Sequence, residues 1–169
     1  MIGYKYHLIA GDSLRDSAPG SLEFKTKQFW YSFWEGVFQN NGCSIKPSYE
    51  NLLRHDVVSV LTQNGEPIAL SCSSLFDMKL KSTRSHPYFA GVFTQPYLDA
   101  LAQWRVRSAI TIEYLSVSPS HRRKATDFPL AQALIGLHVE LFKSLELDAI
   151  VAVSRSDVKV TQMAEKFGY

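Results

Sequence analysis

Ile112-Glu-Tyr-Leu-Ser-Val-Ser-Pro-Ser-His-Arg-Arg-Lys124 is the stretch on which the fold turns. Residues Ala109 to Val117 are rich in β-branched and apolar side chains and read as a strand. Pro119 follows, then the cations Arg122, Arg123 and Lys124. Thr126 or Asp127 can cap the helix expected next, whose Leu134, Leu137, Leu141 and Leu145 share one face. A strand, a basic loop and a helix start in such close succession present free amides and the positive end of a helix dipole, which suit a phosphate or pyrophosphate. A solvated basic turn is the competing reading of three adjacent cations.

Working outward, Ala149 to Val153 reads as a buried strand and Ser156 to Lys166 as a helix. Upstream, Tyr4 to Ala10 alternates as a short strand and runs into a turn at Gly11-Asp12-Ser13. Phe29, Trp30, Phe33, Trp34, Val37 and Phe38 recur at three- and four-residue steps, which predicts a helix over Ser21 to Asn40 with an aromatic core-facing stripe. Pro47 to Arg54 forms a short helix. Val57 to Gln63 and Pro67 to Cys72 flank Asn64-Gly65, a pair that tolerates the positive φ angles of a tight turn, so the two runs form a hairpin. Residues 74–108 interrupt this pattern as an insertion, with helical spacing through Tyr97, Leu101 and Trp104. The order strand, helix, hairpin, insertion, strand, helix, strand, helix is that of a single α/β layer fold over residues 1–169.

Composition narrows the function classes. Apolar residues make up 46% of the 169, charged residues 20%, and the net charge is +2, which describes a globular chain rather than a disordered one and does not signal a nucleic-acid partner. The two cysteines, Cys43 and Cys72, form no C-x-x-C pair, and free thiols are expected. No stretch approaches the roughly 18 apolar residues of a membrane span, and a cytoplasmic location is expected. The histidines show no metal-ligand spacing, so no zinc site is expected. No G-x-S-x-G, Walker or dinucleotide-binding motif occurs, which removes the usual support for hydrolase, NTPase and nicotinamide chemistry.

Val117, Pro119 and Arg122 resemble the V-x-P-x-x-R opening of the donor motif of the GNAT acyltransferase superfamily. Met163-Ala-Glu-Lys-Phe-Gly-Tyr169 is similar to that family's helix ending Y-E-K-x-G-F, in the right order downstream. The resemblance implies a GNAT-like mixed central sheet flanked by helices, with the insertion between the third and fourth strands. It also implies acyl transfer from a thioester, acyl-CoA or acetyl-CoA, to the amine of a small molecule. His86-Pro-Tyr-Phe-Ala-Gly-Val-Phe93 and the helix after it look like the insertion of autoinducer synthases and N-acyl amino acid synthases. Kinship with that subgroup implies an acyl carrier protein, with its acyl-phosphopantetheine, as the alternative donor and partner. Relatives continue into further strands past the point where this sequence stops. No glycine stands between Arg123 and Pro129, where the family has its glycine turn, and Ala164 replaces the tyrosine acid of many relatives. A non-catalytic GNAT-fold binding or regulatory domain is therefore the second reading.

Within this frame Glu113, on the strand before the donor loop, is the candidate catalytic base for an ammonium nucleophile. Its competing role is an ion pair with Arg105 or Arg107. Leu115 and Val117 would offer strand backbone to a pantetheine amide while their side chains pack. Arg122, Arg123, Lys124, Ala125 and Thr126 would form the donor-phosphate loop, with His121 beside it. Lys79, Lys81 and Arg84 read as an exposed loop, or as a patch that meets an acidic carrier protein.

Overall fold

The computed structural model describes residues 3–122, 128–154 and 160–168. Strand β1 (Tyr4–Ala10) leads into a single helical turn, α1 (Gly11–Arg15), and then into α2 (Leu22–Asn40). Ser21 caps α2 by accepting a hydrogen bond from the Phe24 amide, which satisfies one of the orphan donors of a helix start. The turn expected at Gly11-Asp12-Ser13 is thus helical. Gly11 lies so close to the His55–Asp56 backbone that its amide donates to the Asp56 carbonyl at 2.8 Å, and a Cβ here would meet the His55 carbonyl oxygen.

After α3 (Tyr49–Leu53) come β2 (Val57–Gln63) and β3 (Glu66–Ser73), paired antiparallel as the hairpin expected from Asn64-Gly65. Both turn residues have positive φ, 53° and 81°, as the tight turn requires. The chain then enters β4 (Leu75–Asp77) and the helices α4 (Lys81–Arg84), α5 (Pro87–Ala90) and α6 (Gln95–Gln103). It returns as β5 (Ser108–Val117), followed by α7 (Leu130–Ser144), β6 (Ala149–Ala152) and α8 (Val160–Glu165). The six strands run in the order β1-β2-β3-β5-β4, with β6 paired parallel to the other edge of β5.

Helices cover both faces of the sheet. On one face Trp30 of α2 is buried against Val58, Val60, Leu70 and Cys72, and on the other Leu130 and Leu134 of α7 pack on Leu61, Ile68 and Ala69. Helices α5 and α6 form a separate apolar cluster around Tyr88, Phe89 and Leu101 against Ala109 and Val151.

Three expectations are corrected. Helix α7 has Pro129 at its N-cap position, not Thr126 or Asp127, because a proline pushes the residue before it out of helical backbone. Thr126 and Asp127 lie outside the described residues. Leu145 falls just past the helix as its C-cap and is exposed, and the buried face is carried by Leu130, Leu134, Ile135 and His138. Strand β6 buries only Val151, since among the described residues it pairs on one side alone.

Candidate active site

β5 divides into two halves that meet different partners. Its first half pairs with β4 on one edge and with β6 on the other, and the β6 ladder ends at Ile112 opposite Ala152. Its second half pairs with β3, where Cys72 faces Glu113 and Leu70 faces Ser116. Ser71 alone therefore stands opposite both Tyr114 and Leu115. This is a β-bulge, and Tyr114 takes a φ of 51°, a value uncommon for a bulky residue.

The extra residue resets the side-chain alternation. Glu113 and Tyr114 both project to the face covered by α2, where Tyr114 meets the rings of Trp30, Trp34 and His55 at 5.3, 5.0 and 5.6 Å between centroids. Leu115 and Val117 pack instead in the cluster beneath α7. As β5 and β6 part beyond Ile112, a cleft of about 170 Å³ opens between them, lined by Trp34, Tyr114, Leu115, Ile135 and Val153, with Ala164 of α8 on its wall. A larger cleft of about 350 Å³ lies further along β5, between Val117, Arg122, the first turn of α7 and Gln162, Met163 and Lys166.

The first intrahelical bond of α7 runs from the Ala133 amide to the Pro129 carbonyl. The amides of Ala131 and Gln132 thus have no acceptor inside the helix, and both residues line the larger cleft, an arrangement that favours an anion there. Arg122 borders the same space. Its Nε donates to the Val117 carbonyl at 3.3 Å, and its guanidinium lies 5.9 Å from the Phe33 ring centre. His121 bonds Ser120 and Gln63 through its two ring nitrogens, at 2.9 Å each, and also lines the cleft.

Glu113 is tied on both oxygens. Arg54 Nη2 donates to Oε2 at 2.8 Å, and the Thr111 hydroxyl donates to Oε1 at 2.9 Å. Arg54, at the end of α3, is thus the ion-pair partner that sequence reading assigned to Arg105 or Arg107. Arg107 sits at the start of β5, six residues from Glu113, and pairs with Asp148 instead. Burial pushes the Glu113 carboxyl above the ordinary range, while Thr111 and Arg54 hold it back.

His55 Nδ1 lies 3.6 Å from Glu113 Oε1 and 2.9 Å from the Ser74 hydroxyl. Burial, with Arg54 beside it, depresses this imidazole to about 3, so it is neutral at neutral pH and the ion pair is Arg54–Glu113 alone. Among the described residues no cluster of His, Cys, Asp and Glu could hold a metal ion, and no helix is long and apolar enough to cross a membrane.

Of the residues singled out from sequence, Leu115, Val117 and Arg122 border the two clefts, and Glu113 flanks the bulge between β5 and its neighbours. Arg123, Lys124, Ala125 and Thr126 lie outside the described residues. Sequence reading missed Arg54, His55, Trp34 and Tyr114. Each comes to β5 through the sheet register or the bulge, for which no local sequence signal exists.

No protein-family model matches the chain, and no curated protein matches it by sequence. Solved structures do. A Drosophila melanogaster polyamine N-acetyltransferase, which forms N-acetylagmatine, superposes with a TM-score of 0.68 at 12% identity over 99% of this chain and 83% of its own. An aminoglycoside acetyltransferase from an uncultured soil metagenomic sample superposes at 0.57 and 15% identity, over 99% and 91% of the two chains. A predicted acetyltransferase from Clostridium acetobutylicum, solved with acetyl-CoA, gives 0.57 and 11% identity over 99% and 90%. At such identities the likeness is one of fold: a mixed sheet flanked by helices, the fold of the GNAT acetyltransferases.

Proposed function

We propose that the protein is an N-acyltransferase that moves an acyl group from a coenzyme A thioester to the amine of a small molecule. The observation that carries this reading is the parting of β5 and β6 beyond Ile112, beside a bulge and in line with the N-terminus of α7. An extended donor fits that line. Its pyrophosphate would meet the α7 amides and Arg122, with Arg123, Lys124, Ala125 and Thr126 completing the loop, and its pantetheine amides would bond the β5 edge near Leu115 and Val117. The neighbours solved with acetyl-CoA or CoA support a CoA donor. The carrier-protein donor and autoinducer-synthase kinship rest on the likeness of residues 86–104 and have no further support.

The chemistry follows from what faces the bulge. An amine enters from the α2 face, where Glu113 would take a proton from the ammonium, directly or through water. The lone pair attacks the thioester carbonyl, and backbone amides at the bulge polarise its oxygen as charge develops. Collapse of the tetrahedral intermediate expels the thiolate. Alignment of the two reactants in one cleft would supply several kcal/mol of the acceleration.

One observation favours a second reading, a binding domain without turnover: both Glu113 oxygens already accept hydrogen bonds from Arg54 and Thr111. A thiol-release assay separates the two. Acetyl-CoA, a long-chain acyl-CoA and acyl carrier protein are offered as donors, each against agmatine, spermidine, tyramine and an aminoglycoside. Amine-dependent thiol release supports transfer; CoA binding with no release from any pair supports the binding domain.

A further inference from the structure

Acyl transfer leaves a thiolate to be protonated, and Ala164, on the α8 wall of the cleft, has no proton to give. We infer that Tyr114 is the catalytic residue that donates this proton, an inference that rests on the acyltransfer reading above. The argument starts from its backbone. A φ of 51° costs on the order of 1 kcal/mol or more for a bulky residue, and such strain persists only where the surroundings enforce it. Here the bulge enforces it and thereby places an aromatic side chain next to Glu113 on the face where the amine is expected. Had β5 continued without the bulge, residue 114 would face α7, and no hydroxyl would stand at the parting of β5 and β6.

The ring is fixed and the hydroxyl is uncommitted. Trp30, Trp34 and His55 hold the ring by edge-to-face contacts, and Trp34 is itself anchored by its indole N–H to the Ser116 hydroxyl at 3.0 Å. Among the described residues the Tyr114 hydroxyl makes no hydrogen bond, and the half-buried residue lines the cleft. Two other tyrosines have their hydroxyls engaged. Tyr88 donates to the Val151 carbonyl, and Tyr6 is bonded to Ser59. Burial raises the Tyr114 phenol above its ordinary value, with Arg54 lowering it and Glu113 and Cys72 raising it, so it stays protonated throughout the working range of pH.

The step balances. The ammonium gives one proton to Glu113, which passes it to solvent; the nitrogen then forms the new C–N bond and loses its second proton by the same route. The C–S bond breaks with its electron pair on sulfur, sulfur takes the phenolic proton, and the phenolate regains one from solvent. The products are amide, free thiol and one released proton.

The test is Tyr114→Phe, which keeps the ring and removes only the hydroxyl, assayed with acetyl-CoA and whichever of the four amines the wild-type protein accepts. Loss of a general acid predicts kcat lower by about a hundredfold, with KM for acetyl-CoA and the thermal unfolding midpoint near wild type. A kcat within twofold of wild type overturns the proposal. So does a fall in kcat matched by a lower unfolding midpoint or a proportionate rise in KM, since a packing role would produce those. If the wild-type protein turns over none of the donor and amine pairs, the acyltransfer reading fails first and the role of Tyr114 falls with it, an outcome distinct from an active enzyme indifferent to the substitution.

Discussion

Two histidines buried without charge make the stability of this protein depend on acid in a calculable way. His138 of α7 is fully buried, with Nδ1 3.3 Å from the Ser73 hydroxyl and Nε2 unpartnered among the described residues. Burial holds it at about 4, and His55 is held at about 3, against 6.5 for a free imidazole. Both folded values are depressed, so the unfolded chain binds more protons below pH 6.5. The stability from each neutral imidazole is therefore present in full above pH 6.5 and is lost as pH falls toward the folded value. Between pH 7.5 and 5 each site should cost about 2 kcal/mol, so the pair should account for about 4 kcal/mol of lost stability. His138→Asn removes one site while leaving a side chain able to bond Ser73. Urea unfolding at a series of pH values should show the variant losing about 2 kcal/mol less than wild type across that window, whatever its starting stability. Parallel pH dependences for the two proteins would refute the assignment of His138 as a buried neutral group.

The remaining predictions concern the proposed base. Arg54 and the Thr111 hydroxyl both hold the Glu113 carboxyl down against its burial. Arg54→Met should therefore raise it further, and Thr111→Val should act in the same direction. A base works only as the carboxylate, so activity is present above the Glu113 pKa and lost as pH falls through it. The acid limb of the kcat/KM profile should move to higher pH in both variants, and a limb that stays in place would remove Glu113 from that role.

Much of the fold was legible because the signals were local. The aromatic spacing from Phe29 to Phe38 marked α2, and Asn64-Gly65 marked the hairpin, since helical periodicity and tight turns depend on residues close in sequence. The candidate donor loop was read from the resemblance carried by Val117, Pro119 and Arg122, of which Val117 and Arg122 border the larger cleft. The acceptor side was not legible. Arg54 lies 59 residues from Glu113, and Trp34 lies 82 from Ser116, so those bonds exist only once the sheet register is set. The bulge at Tyr114 has no glycine to announce it. It lies inside the β3–β5 ladder, between the Cys72–Glu113 and Leu70–Ser116 pairs. Pro129 also displaced the start of α7 from the capping residues that precede it.

The central claim, that the opening along β5 is a CoA donor site closed by the N-terminus of α7, is tested most directly by calorimetric titration of CoA into the wild-type protein and into Arg122→Ala. CoA should bind the wild-type protein, and loss of the charge-assisted phosphate contact should weaken it about tenfold or more in the variant. Equal affinity in the two proteins, or no binding of CoA by either, would contradict it.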